Sequence, residues 1–372
     1  MKIAGIDVHR FHLPFSAPVR VGGVALPGRE GFILALKGDN GRTGHGEVAP
    51  LPGMDATPLD AYRRELSSLR SILPGAPVRF ERFQPTEPFL GLLDSRFAPS
   101  HWSALTMFGI ECALLGLFLR ESSTPGPFSH PLPGVAVNGL FMPGYQEDVI
   151  AGQIRTLKDA GVKVVKVKIG RLSLEDEVRQ ILDLTDRLGG GIMLRLDGNG
   201  SLSGEMYARY FAALRHLPVE YIEEPLPGRE LPPVGEASWP IALDESLRRY
   251  LDPDEPRLSL LPPAVRAVIL KPGALTGLHA IARCAADDTG SGIKTVLSSS
   301  FNTGITLAML AIFSRFAGLA SETAHGLDTL KYFREDILRE PPFIHEGILA
   351  IPGRLISGTV NLNENRLRKE FS

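Results

Sequence analysis

From residue 133 onward, short apolar runs rich in β-branched residues alternate with amphipathic helical stretches. The runs begin near Val135, Val164, Ile192, Val219, Ile241, Val265, Ile293 and Ser321. Between most of them lie stretches such as "LEDEVRQILDLTDRL", "GEMYARYFAALRHL" and "GLHAIARCAAD", with apolar residues at helical spacing. Strands at this interval, each followed by a helix, mark repeated βα units. The runs are near-continuously apolar, as strands of a parallel sheet covered on both faces must be. Eight such units predict a closed (β/α)8-type barrel, a modified TIM barrel, and the available length suits one. No G-x-G-x-x-G follows an early strand, which counts against an open doubly wound sheet.

Residues 1–98 predict a smaller α+β domain capping the barrel. "GFILALKGDNGRTGHGEVAP" reads as an antiparallel hairpin turning at Asp39-Asn40-Gly41. A helix follows around "LDAYRRELSSLRSIL". The segment Gly44 to Gly53, with Pro50 and Pro52, is expected to be a hinged lid over the barrel mouth. The barrel is expected over 99–335. Residues 336–372, with short strands in "FIHEGILAIPGRLISGTVNLNE", are expected to return to the capping domain.

Charge narrows the partners. Forty Lys and Arg against 42 Asp and Glu leave a net −2, so no basic field points to nucleic acid or a membrane surface. A small-molecule substrate fits better, while the choice between monomer and homo-oligomer stays open. "WSALTMFGIECALLGLFL" (102–119) is long enough to raise the membrane question, but Glu111 at its centre predicts a buried core helix instead. The opening "MKIAGIDVHRFHLPF" lacks a signal-peptide apolar region, and Cys112 and Cys284 read as free buried thiols. A cytoplasmic protein is expected.

Candidate chemistry begins with "VKVVKVKIG" (162–170), where Lys166 and Lys168 interrupt a buried strand and point the same way. Lysine is almost never fully buried without a partner. Other predicted strands also end in polar groups: Arg195 and Asp197, Glu223 and Glu224, Asp244 and Glu245, Lys271, then Ser298 to Ser300. In such barrels the active site lies at the carboxyl ends of the strands. Three carboxylates on adjacent strands make an oxygen-only donor set, which suits Mg²⁺ best. No Cys/His cluster suggests zinc, and the nine histidines read as structural or surface residues. Strands 2 and 6 are opposite in a ring of eight, so Lys168 and Lys271 are expected to face each other across a bound carboxylate. Repulsion between Lys166 and Lys168 is expected to lower a lysine pKa toward general-base range.

In this order, K-x-K, D-x-N, E-E-P, D-E-S and K-P resemble the motifs of the enolase superfamily, on its muconate-lactonizing side. "RLDGN", "SSSFNTGI" and "GLDTLKYF" are most similar to the o-succinylbenzoate synthase family; Gly198 stands where alanine is commoner. The resemblance implies Lys168 as acid/base and Lys271 as the opposing cation. It implies Asp197, Glu223 and Asp244 as ligands of Mg²⁺, with Mn²⁺ as substitute. Lys166, Arg195, Asn199, Ser298 and Ser300 become the substrate-binding candidates, the serines holding a remote carboxylate beside the helix opening near Thr303. The implied activity is dehydration of 2-succinyl-6-hydroxy-2,4-cyclohexadiene-1-carboxylate in menaquinone or phylloquinone synthesis. N-succinylamino acid racemisation and dipeptide epimerisation are the alternatives. Dipeptide epimerases usually carry D-x-D on the last strand, where this chain has "HGLDTL". A scaffold without catalysis fits poorly with five ionisable residues retained.

Overall fold

The computed structural model describes residues 1–87, 92–93, 102–121, 134–232, 238–275 and 277–371. Two long strands open the capping domain, β1 (Ile3–Val21) and β2 (Val24–Gly38), paired antiparallel down to Val21 opposite Val24. Gly22 and Gly23 close that hairpin at positive φ, which residues with a Cβ resist. The second turn, Asp39 to Arg42, leads into β3 (Thr43–Val48) as expected. The last strand, β14 (Leu367–Phe371), pairs with β1 to give the order β14-β1-β2-β3. The end of the C-terminal segment therefore returns to the capping sheet, whereas its expected strands within 343–350 pair with residues 135–136 at the barrel instead, a correction to the return expected for the whole of 336–372. The expected boundary between residues 98 and 99 lies outside the described residues.

Helix α1 (Leu59–Ile72) and the almost wholly buried α2 (Ala104–Glu121) cover this sheet. α2 corrects the lid expectation. Gly44 and Gly46 belong to β3, where a Cβ would stand 1.9 Å from the Ala113 carbonyl oxygen and 1.8 Å from that of Gly109. These glycines permit close helix–strand approach and are not hinges. Only Ala49 onward forms loop. Among the described residues, no helix is long and apolar enough to cross a membrane.

The barrel strands are β5 (Asn138–Phe141), β6 (Val164–Lys168), β7 (Met193–Asp197), β8 (Val219–Glu223), β9 (Ile241–Leu243), β10 (Val265–Leu270) and β11 (Lys294–Leu297). All are parallel and follow chain order around the sheet. Helices α3 (Glu147–Asp159), α4 (Leu174–Leu188), α5 (Gly204–Leu214), α6 (Gly277–Ser291) and α7 (Gly304–Phe316) supply most of the crossovers. The ring closes through two residues. His325 pairs with Val137 and Gly326 with Ser298, both parallel, which places the eighth strand beyond the expected start at Ser321, a turn residue. A small sheet of β4 (Val135–Ala136), β12 (Phe343–His345) and β13 (Ile348–Ala350) covers the N-terminal end of the first barrel strand. Short α8 (Gly353–Ile356) precedes β14. Inside the barrel, Tyr221, Ala242, Ala267, Ile269 and Val296 form a separate apolar cluster below the charged residues.

Candidate active site

The parallel register lines up the polar strand ends. Lys168 lies opposite Asp197, Asp197 opposite Glu223, and Glu223 opposite Ala242, two residues before Asp244. Side chains two apart share a face, so all of these project into the barrel lumen near its C-terminal end. Lys271 follows β10, four strands from β6 in the ring of eight, and so stands across the mouth from Lys168.

The lysines and carboxylates are interleaved. Lys166 Nζ donates to both Glu223 oxygens at 2.7 Å and lies 2.7 Å from Asp197 Oδ2. Lys168 Nζ donates to Asp197 at 2.6 Å and to Asn199 Oδ1 at 2.7 Å. Lys271 donates to Asp244, and to Glu245 at 3.4 Å. The expected lowering of a lysine pKa by repulsion between Lys166 and Lys168 does not hold at Lys166. Burial does oppose its charge, but Asp197, Glu223 and Asp244 together hold its pKa well above the ordinary value. Lys271 is raised likewise, with burial outweighed by Asp244 and Glu245. Burial also works against charge on Asp197, yet Lys166 and Lys168 keep its carboxyl below the usual range. Glu223 is raised well above it, first by burial and then by Asp197.

Glu223 shows why the three carboxylates suit a cation: too much negative charge shares a dry space. Asp197, Glu223 and Asp244 are all buried and offer only oxygen, a donor set for a hard divalent ion. Among the described residues, no three acidic or histidine side chains already form a ready metal cage. Ammoniums lie among the carboxylates instead, and a divalent cation would compete with them for the same oxygens.

Backbone strain collects at the mouth. Three non-glycine residues with positive φ, Asn199 (45°), Glu224 (39°) and Phe301 (54°), stand just beyond β7, β8 and β11. Such conformations persist only where surrounding structure over-determines them. Glu224 is pinned by accepting from the Asp244 and Ser246 N–H groups at 2.8 and 2.9 Å. It therefore fixes the turn that presents Asp244. Glu177 likewise holds the loop after Lys168, accepting from Gly170, Arg171 and Leu172 N–H groups. Glu224 is legible in the sequence only as a polar strand end, and Glu177 not at all, since a carboxylate in a helix looks like an ordinary solvated one.

Two expected features lie elsewhere. Arg195 shares the inward face of Asp197 but is sealed in the barrel floor. It donates to Glu220 and to the Ala324 carbonyl at 2.6 Å, and to Asn138 at 3.3 Å, while its guanidinium stacks over Tyr221 at 5.0 Å. With its side chain 1% exposed and its Nε and Nη1 engaged at the floor, it is closed off from the mouth. Glu220 is the extra residue of a β8 bulge, between the Leu194–Val219 and Arg195–Tyr221 pairs. The α7 opening is the second correction. Glu47 accepts from Thr303 N–H at 3.0 Å and Asp336 from Gly304 N–H at 2.9 Å, so protein carboxylates already fill the expected anion position. Ser298 remains on the lumen face at the end of β11, packed against Gly326. The Ser300 N–H donates to Asn302 Oδ1 at 2.9 Å.

Known proteins share this construction. Residues 149–355 match the family model "Enolase C-terminal domain-like", and residues 3–73 match "MenC, N-terminal domain". The o-succinylbenzoate synthase of Klebsiella pneumoniae (strain 342) is 28% identical over 343 residues, covering 90% of this chain and 94% of that protein. The enzyme of that name from Photorhabdus laumondii is 29% identical, with 90% and 93% covered. Among solved structures, muconate lactonizing enzyme from Pseudomonas putida superposes with a TM-score of 0.76 at 18% identity, covering 99% of this chain and 100% of that one. A dipeptide epimerase from Methylococcus capsulatus gives 0.73 at 22% identity, covering 95% and 98%. At those identities the structures speak for the fold alone. The family model, however, spans more than half of the chain and includes every strand that carries the paired lysines and carboxylates, and by that match this protein belongs to the enolase superfamily.

Proposed function

We propose that this chain is an o-succinylbenzoate synthase, a hydro-lyase that removes water from 2-succinyl-6-hydroxy-2,4-cyclohexadiene-1-carboxylate. The observation that carries the reading is the opposition of Lys168 and Lys271 across a mouth walled by three buried carboxylates. Relatives of that name, matched along nearly their whole length, support the choice of substrate within the superfamily. The reaction would serve menaquinone or phylloquinone synthesis in the cytoplasm.

Asp197, Glu223 and Asp244 would hold Mg²⁺, or Mn²⁺ in its place. When bound, the cation supplies positive charge beside the substrate carboxylate as the α-proton leaves. Lys168, released from Asp197 and neutral, accepts the proton from the carbon bearing the carboxylate. Lys271 keeps its ammonium and faces the charge that collects on the carboxylate and ring. Lys168, now an ammonium, returns its proton to the departing hydroxyl on the same face. The C–H and C–O bonds break, water leaves, the ring becomes aromatic and Lys168 ends neutral as it began. Asn199 holds the Lys168 ammonium through its side-chain oxygen.

The same pair of lysines suits two-base racemisation of N-succinylamino acids, and one variant separates the readings. Lys271→Arg keeps a cation but forfeits a base, since guanidinium stays protonated. Followed by absorbance of the aromatic product, Lys271→Arg is expected to retain measurable dehydration and to lose any racemisation. Racemisation retained with dehydration lost would reverse the two roles and sink the lyase reading.

A further inference from the structure

Arg29 and Glu47 are capping-domain residues with almost no exposure, and the chemistry above uses neither. Arg29 spends its guanidinium on three main-chain carbonyls. Two belong to the start of the mouth-side loop, Ala49 at 2.8 Å and Pro50 at 2.5 Å; the third is Phe301 of the barrel, at 3.1 Å. Glu47 accepts from the Asn302 side chain at 3.0 Å, from Thr303 through both N–H and hydroxyl, and from the Thr306 hydroxyl at 2.7 Å. Two buried charges of opposite sign thus cross from one domain to a single turn of the other.

That turn is strained. Phe301 holds φ at 54°, a conformation that residues with a side chain resist. Its ring is wedged 5.5 Å from Phe15 of β1 and 5.4 Å from Tyr332, beyond the eighth strand. The turn begins at Ser298, on the lumen face, and ends where α7 starts. Residues held in such conformations cluster at ligand-binding sites, and this one is gripped from the capping domain four residues beyond the end of a barrel strand, beside the lumen-facing Ser298.

We infer that Arg29 and Glu47 are positioning residues that hold the Ser298–Thr303 turn in the strained form needed to recognise the end of the substrate remote from Lys168. The inference rests on the dehydratase reading only for the choice of substrate.

The test uses the full chain with Mg²⁺ present, as wild type, Arg29→Met and Thr306→Val. Thr306→Val keeps the side-chain shape, removes one donor to Glu47 and uncovers less buried charge, so it serves if Arg29→Met fails to fold. Hydrogen–deuterium exchange is expected to rise about tenfold across 298–306 in a folded variant, with β10 unchanged. KM for the cyclohexadiene acid should rise about tenfold in Arg29→Met and less in Thr306→Val, while kcat stays within about threefold. A folded variant with wild-type exchange and wild-type KM overturns the inference, as does a fall confined to kcat. A wild-type enzyme inactive on this acid, with the exchange contrast still present, removes the substrate assignment while supporting the hold on the turn.

Discussion

The floor and the mouth of this barrel are built from the same residue types on the same strands, with opposite outcomes. Arg195 and Asp197 are two residues apart on β7 and point the same way. At the floor, Arg195 Nε meets Glu220, which Lys294 also reaches, and the Ala324 carbonyl and the Asn138 side-chain oxygen accept from Nη1. Burial opposes charge on Glu220, but the two cations hold its pKa below the ordinary value. At the mouth, the side chains of Lys166, Lys168 and Lys271 are 16%, 24% and 17% exposed, against 1% for Arg195. Their carboxylate partners share a buried space, where burial first and Asp197 second raise Glu223. A saturated buried charge network stabilises a fold; an over-acidic one open to solvent invites a ligand. Height along the strand separates the two, and residue type does not.

The largest contrast should come from Lys168. Lys168→Ala is expected to lower turnover by at least roughly 10²–10⁴-fold and to stop exchange of the α-proton with D₂O, while thermal unfolding moves less than in Arg195→Met because Asp197 keeps Lys166. An equal loss of activity and of folded protein would erase the distinction drawn here. Arg195→Met should do the reverse, destabilising by roughly 3–5 kcal/mol because Glu220 loses a buried partner. KM of its folded fraction should stay at the wild-type value; a raised KM with normal stability would restore Arg195 to the substrate site.

A smaller effect is expected from Gly46→Ala in β3, where a methyl group meets the Gly109 carbonyl. Denaturant titration should show about 1–3 kcal/mol lost through overpacking, with unchanged kinetics. Altered KM at full stability would return this glycine to a lid. The smallest concerns Asp336, whose carboxyl burial pushes from 3.8 up to about 6, with Glu47 adding to it. Between those two values only the unfolded state gives up this proton, so the group's contribution to stability falls as pH rises through about 4 to 6. The stability difference between wild type and Asp336→Asn should shift against wild type across that window. A difference flat with pH would show that burial at the α7 opening does not raise the Asp336 carboxyl.

Much of the architecture was written in the chain because parallel strands covered on both faces must be apolar throughout. That is why seven strands appear near their expected starts, and why polar residues at their ends stood out. The eighth could not be located closely, since His325 and Gly326 close the ring by pairing with residues far away and carry no run of their own. Residue type and strand parity also determined that Lys166, Lys168, Asp197, Glu223, Asp244 and Lys271 share one lumen. Tertiary structure alone decided that Arg195 belongs to the floor, through a bulge that turns Glu220 toward it. It alone decided that Gly44 and Gly46 make room for α2 and that Glu47 and Asp336 fill the start of α7. In each case the deciding partner is at least 25 residues away, and no local pattern encodes what a buried charge or a missing Cβ will meet across such a distance.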